Sequence, residues 1–135
     1  MINDNRSSID RQSNVYTSYF ANWHNFPKDS IIISITRYPP KGWKNLELQS
    51  LAPSATLLQD WKNGNIDEYI FKQKYIMQLE KDSNLRPRAI ALLKGLIQEH
   101  NKNIILCCYE KSDDFCHRHI LAEWLAPEVQ INELL

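Results

Sequence analysis

Two short apolar runs stand out from an otherwise amphipathic chain: Ile31-Ile32-Ile33-Ser34-Ile35-Thr36 and Ile104-Ile105-Leu106-Cys107-Cys108. Both are too short and, in the first case, too β-branched for helices, and unbroken apolarity is the pattern of strands buried on both faces of a parallel sheet. Val15 to Tyr19 reads as a further short strand, and Val129-Gln130-Ile131 as a last one. Between these runs the apolar spacing changes to the helical period. Ser54 is placed to cap a short helix carrying Leu57, Leu58 and Trp61, which Asn63-Gly64 stops. Asp67 opens a second helix with Tyr69, Ile70, Phe71, Tyr75, Ile76 and Leu79 on one wide face, and Pro87 fits the first turn of a third that runs to about His100, with Ile90, Leu93, Leu96 and Ile97 inward. A fourth is expected from about Asp114 to Leu125. Strands alternating with helical segments predict a three-layer α/β fold, Rossmann-like or flavodoxin-like, with a mainly parallel sheet flanked by helices.

The chain has 135 residues, the size of one compact domain. Met1 to Asn14 is rich in Asn, Ser, Asp, Arg and Gln, so residues 1–14 are expected to form a flexible tail and 15–135 a single domain. Lys+Arg and Asp+Glu both number 16, so no global field draws the protein to nucleic acid or anionic lipid, and a nucleic-acid partner is not favoured. Three cysteines, two of them adjacent, do not form a disulfide framework and suggest a reducing compartment. The start lacks a signal-peptide pattern and no run reaches membrane-spanning length, so a cytoplasmic protein without a membrane partner is expected.

The chemistry concentrates after the second apolar run. Cys107-Cys108-Tyr109-Glu110-Lys111-Ser112-Asp113-Asp114-Phe115-Cys116-His117-Arg118-His119 gathers thiols, imidazoles, a guanidinium and carboxylates around a predicted helix start, where α/β proteins place ligand sites. Asp113 or Asp114 is expected to cap that helix, with Cys116, His117 and Arg118 in its first turn. A thiol there is acidified by the helix dipole and by His117 or Arg118, from a free pKa of about 8.5 toward roughly 7 or below. The same helix end suits an anion, held by Arg118 and joined by Arg37 and Lys41 from the loop after the first run. Arg118 has a second reading as a structural clamp on Glu110 or Asp114, and Cys107 and Cys108 as core residues.

These residues resemble the family of uncharacterised proteins known as domain of unknown function 488. The resemblance rests on Cys108-Tyr109-Glu110-Lys111 followed by Cys116-His117-Arg118, and on Ile35-Thr36-Arg37-Tyr38-Pro39-Pro40, where the family often has Asp-x-Arg and this chain carries Ile35 instead of the aspartate. Leu51-Ala52-Pro53-Ser54 and the segment from Asp67 to Leu79 extend it to roughly Val15 to Ile131. It implies a compact α/β domain without a settled activity. By analogy with similar cysteine-containing families of phage and mobile elements, it also implies a nucleotide-like ligand.

Zinc is the rival chemistry. Cys108, Cys116, His117 and His119 are suitable ligand types, but Cys-x7-Cys-His-x-His matches no finger pattern, and neighbouring helical residues diverge by about 100°, so Cys116 and His117 are not expected to share an ion. Trp23 is expected in the core, while Tyr38 and Trp43 are placed to stack on a base or sugar. No dinucleotide, Walker or nucleophile-elbow motif occurs. The sequence therefore predicts a site between the two strand ends that holds an anionic or nucleotide-like small molecule through Arg37, Arg118, Cys108, Tyr38, Lys41 and Trp43. Thiol-based group transfer or glycosidic cleavage would use Cys116 as nucleophile and His117 or Glu110 as acid/base, with no metal or other cofactor. A non-catalytic ligand-sequestering or partner-regulating protein is one alternative, and a nucleic-acid-binding protein using a local basic patch at Arg37, Lys41, Lys44 and Arg118 is the other.

Overall fold

The computed structural model describes residues 14–111 and 114–134. Its strands are β1 (Val15–Tyr19), β2 (Ile31–Ser34), β3 (Leu46–Glu47), β4 (Ile104–Cys108) and β5 (Ile131–Glu133). They form one sheet in the order β3-β2-β4-β1-β5, and every pairing is parallel. The helices are α1 (Ala55–Lys62), α2 (Glu68–Glu80), α3 (Leu85–His100) and α4 (His117–Leu125), with short 3-10 turns at Phe20–Asn25 and Gln49–Leu51. This is the expected three-layer α/β fold. The flexible tail expected before Val15 falls almost wholly outside the described residues.

β4 is the middle strand and all five of its residues are buried, which is why it reads as an unbroken apolar run. Ile104, Leu106 and Cys108 share one face by strand alternation. With Ile33 and Ile35 from the β2 side, Ile104 and Leu106 pack into a core completed by Phe71, Tyr75 and Leu79 of α2, Leu93 of α3, and Ile120, Leu121 and Leu125 of α4. Ile105 and Cys107 face the other way and are equally buried. On that side Asn22 of the Phe20–Asn25 turn donates to the Ser18 hydroxyl at 3.1 Å. Burial pushes the Cys107 thiol up to about 12, so this cysteine is an inert core residue.

Local chemistry sets the helix ends. The Ser54 hydroxyl accepts from the Leu57 amide at 3.1 Å, and the Asp67 carboxylate from the Ile70 amide at 2.9 Å, so both predicted caps are present. Gly64 takes a positive φ of 72° just beyond α1, where a side chain would be strained. Pro87 lies in the first turn of α3 as expected, although that helix begins at Leu85. Two aromatic expectations fail. Tyr69 stands outside the apolar face of α2 at 65% exposure, with its hydroxyl accepting from Gln73, and Trp23 is 69% exposed in the 3-10 turn. A tyrosine can keep its ring at a polar helix edge when its hydroxyl has a partner, so its apolar ring misleads the pattern.

The connections explain where a crevice opens. After β2 the chain moves outward to β3, whereas after β4 it moves across β1 to β5, so the two neighbouring strands send their loops in opposite directions. The wall of this crevice is fixed from below by α2. The Tyr75 hydroxyl donates to the Leu51 carbonyl at 2.6 Å, and Gln78 bonds both the Ala52 carbonyl and the Ser54 amide at 2.8 Å. Tyr75 is fully buried. Tyr75→Phe should therefore strand the Leu51 carbonyl and cost about 1–3 kcal/mol, read as a lower urea midpoint with an unchanged slope. A midpoint equal to wild type would show that the tether contributes nothing.

Candidate functional site at the carboxyl ends of β2 and β4

Between these loops lies a cavity of about 370 Å3 lined by Thr36, Arg37, Tyr38, Pro53, Leu58, Lys62, Cys108, Tyr109, Glu110 and His117. Arg37 is half-buried and its Nε donates to the Pro53 carbonyl at 3.1 Å, which holds the guanidinium at the rim. The Tyr109 hydroxyl donates to the Tyr38 carbonyl at 2.7 Å and ties the two loops together. Lys62 enters from the last turn of α1. A larger groove of about 580 Å3 lies elsewhere, between Leu48–Leu51 and α3, but it is mainly apolar and its cation, Arg88, is already bonded to Asp82. The smaller cavity carries the chemistry.

Cys108, the last residue of β4, presents its sulfur at the floor. Its neighbour is Arg118, which is fully buried and donates from Nη1 to the Cys108 sulfur at 2.8 Å and to the Glu110 carbonyl at 2.7 Å. The rest of the guanidinium is a bidentate pair with Glu133, Nε to Oε1 at 3.1 Å and Nη2 to Oε2 at 2.9 Å. The Thr17 hydroxyl donates to the same carboxylate at 2.7 Å, and the Tyr19 ring lies 5.9 Å from the guanidinium carbon. Arg118 thus positions Cys108 from inside the protein. It does not line the cavity, and this corrects the expectation that it clamps an anion: the Glu133 carboxylate on β5 holds it inward.

Cys116 takes the N-cap position of α4 with extended backbone, φ −151° and ψ 145°. This corrects the expected helix start. Phe115 packs against Trp61 and Phe71 with ring centroids 4.7 and 5.2 Å away, so the chain descends into the core before the helix can begin. Asp114 precedes this anchor and does not cap the helix, and Asp113 lies outside the described residues. The extended cap also removes the assumed helical divergence. The sulfurs of Cys116 and Cys108 are bonded as a disulfide, with Cα atoms 7.6 Å apart. This corrects the expectation that the cysteines form no disulfide framework; under a reducing poise the same pair is a dithiol. Cys116 lies behind Cys108 and outside the cavity lining, so the sulfur available to a ligand belongs to Cys108.

His117 begins α4 and completes the cluster. Its Nε2 is 2.7 Å from the Ile35 carbonyl and its Nδ1 is 3.7 Å from the Cys116 sulfur. A carbonyl only accepts, so the proton sits on Nε2 and the Nδ1 lone pair faces the sulfurs. Burial drives the His117 pKa down to about 4, helped by the nearby Arg118 and His119 charges and opposed by the Ile35 hydrogen bond, so the ring is neutral at physiological pH. Its edge rests on Tyr75, ring centroids 5.6 Å apart. Ligand atoms of Cys108, Cys116 and His117 all lie within 4.8 Å of one another.

Of the residues expected at the site, Arg37, Tyr38, Cys108, Glu110 and His117 line the cavity. Lys41 and Trp43 do not. The turn closed by the Trp43 amide on the Pro40 carbonyl, with Gly42 at φ 80°, carries Trp43 onto Phe20, and the Trp43 indole donates to the Leu46 carbonyl. Lys62, Pro53 and Leu58 were missed because a lining contributed by a third element leaves no local signature, whereas Thr36 and Tyr109 sit in the predicted strand-end segments beside Arg37 and Cys108 and were not singled out. Glu133 was missed because the last strand begins at Ile131, beyond Val129, and a single acid in a short terminal strand resembles a solvent-facing residue.

Parallel strands, a crevice where their connections diverge, and a thiol–imidazole cluster at its floor define an α/β domain with a candidate site at the carboxyl ends of its strands. The chain belongs to the domain of unknown function 488 family: residues 18–128 match the family model DUF488-N3a, described as the active DUF488-N3 subclade. That span includes every cavity-lining residue and stops short of Glu133. Nothing among curated proteins or solved structures matches the chain significantly. No helix among the described residues is long and apolar enough to cross a membrane.

Proposed function

We propose that the crevice binds a nucleotide-like anionic small molecule and that the sulfur–imidazole cluster at its floor acts on it by group transfer or bond cleavage. The observation that carries this reading is the composition of one cavity. Arg37 and Lys62 supply positive charge, Tyr38 and Tyr109 supply aromatic surface for a base or sugar, and Glu110 supplies a carboxylate for a hydroxyl. Reactive groups stand directly beneath, with the buried Cys108 lining the cavity floor as the attacking or activating thiol, in place of Cys116. The description of the matched subclade as active agrees with a catalytic role. A cytoplasmic setting suits a site that depends on thiols.

A thermal-shift screen of nucleoside monophosphates, diphosphates and cyclic nucleotides tests the reading. At least one should raise the melting temperature, and Arg37→Ala or Lys62→Ala should weaken its binding by roughly 10- to 100-fold, the worth of a charge-assisted hydrogen bond. Lys41→Ala should leave it unchanged. Equal affinity in wild type and Arg37→Ala would remove the anion from this crevice. Binding without product at stoichiometric enzyme would favour a sequestering protein.

A further inference from the structure

We infer that Cys108, Cys116 and His117 bind a divalent metal ion of zinc-like preference, with the open coordination position turned to the cavity. The inference deepens the reading of this crevice by assigning its reactive group, and it rests on the positions of three side chains and of the groups behind them.

The donor set comes first. Two thiol sulfurs and one imidazole nitrogen, with ligand atoms within 4.8 Å of one another, are the ligand types that select zinc over magnesium or calcium. Three protein ligands with a fourth position left open distinguish a catalytic zinc site from a structural one. Cys108 and His117 both line the cavity, so that fourth position opens to the ligand space, not to the core.

The surroundings are built for the same purpose. A metal-binding histidine ordinarily donates its remote N–H to a carbonyl or carboxylate, which fixes the tautomer and aims the lone pair. His117 does this through Nε2 to the Ile35 carbonyl at 2.7 Å, leaving Nδ1 directed at the sulfurs. Arg118 donates to the Cys108 sulfur at 2.8 Å, the contact expected of a group that stabilises a thiolate. Glu133 balances the arginine, so two thiolates and a dication leave the buried cluster near neutrality.

Cys107 is excluded from the set. It points to the opposite face of the sheet and is fully buried, which makes it the internal control. When bound, such an ion acts as a Lewis acid or lowers the pKa of a bound water, which suits hydrolytic attack on a ligand held by Arg37 and Lys62.

The test is a titration of the reduced, chelator-treated full chain with cobalt(II), followed by displacement with zinc(II). One equivalent of cobalt should give the intense visible bands and sulfur-to-metal charge transfer of a tetrahedral thiolate site, and zinc should abolish them. Cys116→Ala and His117→Ala should each weaken binding by more than about 100-fold, beyond what loss of an outer partner costs, while Cys107→Ala keeps wild-type stoichiometry. Far-UV circular dichroism of each variant separates loss of a ligand from loss of the fold. Failure of the wild-type chain to take up one equivalent, or uptake unaffected by Cys116→Ala in a folded variant, would overturn the inference. A Cys108–Cys116 disulfide that persists in reducing buffer would do the same. Running the nucleotide thermal-shift screen on the metal-free chain keeps the two readings apart: a retained shift there preserves the ligand crevice even if no metal binds.

Discussion

Replacing Arg118 with methionine is expected to destabilise the protein by about 3–5 kcal/mol, the cost of leaving one half of a buried ion pair uncompensated. The side chain is fully buried, and the Glu133 carboxylate it neutralises is only 18% exposed. Against a total stability of about 5–15 kcal/mol for a domain, that loss would leave the variant near or past its unfolding threshold. The companion variants decide whether the pair or the volume is responsible. Arg118→Met with Glu133→Leu should recover much of the stability, because removing both charges also removes the desolvation cost. Arg88→Ala breaks a solvent-exposed pair with Asp82 and should cost no more than about 1 kcal/mol. Urea unfolding of the four chains would show the ordering. An Arg118→Met midpoint close to that of Arg88→Ala would mean that β5 and α4 are not held together by this contact.

Leu121→Ala should cost about 2–5 kcal/mol, through lost apolar burial and the cavity left behind. Leu121 is fully buried at the centre of α4, where it joins a core shared with α2 and the sheet. The consequence reaches the site, because the same helix begins with His117 and Arg118 and follows directly on Cys116. Packing on one face of α4 holds the amino-terminal end against the crevice. The variant should therefore lose ligand or metal affinity as well as stability, and a shifted urea midpoint accompanied by weaker cobalt binding is the expected pair of results. The absence of any stability loss would contradict the placement of α4 on this core.

Much of this fold was legible because burial writes itself into sequence. Ile104 to Cys108 is a strand buried on both faces and Ile31 to Ser34 one that becomes so at Ile33 and Ser34, and Ser54 and Asp67 cap helices where their side chains predict. The crevice between the two strand ends was legible for the same reason, since β4 ends in Cys108 and the polar loops that follow the two runs carry Arg37, Tyr38 and Glu110. Details that depend on partners distant in sequence were not. Arg118 reads as an anion clamp until Glu133 is seen beside it, and Cys116 reads as a first-turn thiol until the Phe115 anchor delays the helix. The rule that adjacent helical residues diverge was sound in itself. Cys116, however, is an extended N-cap residue outside the helix, so its sulfur and the His117 ring lie together. Trp43 and Lys41 sit in the right loop, but a tight turn at Gly42 carries them out of the cavity.

The most direct test of the account is a backbone amide NMR titration of the 15N-labelled chain with the nucleotide that gives the largest thermal shift. The account predicts saturable chemical-shift changes clustered at Thr36 to Tyr38, Lys62 and Cys108 to Glu110, with little change along the Leu48 to Leu51 and α3 groove. Changes confined to that groove, or spread without saturation over the surface, would contradict the assignment of the crevice between β2 and β4 as the ligand site.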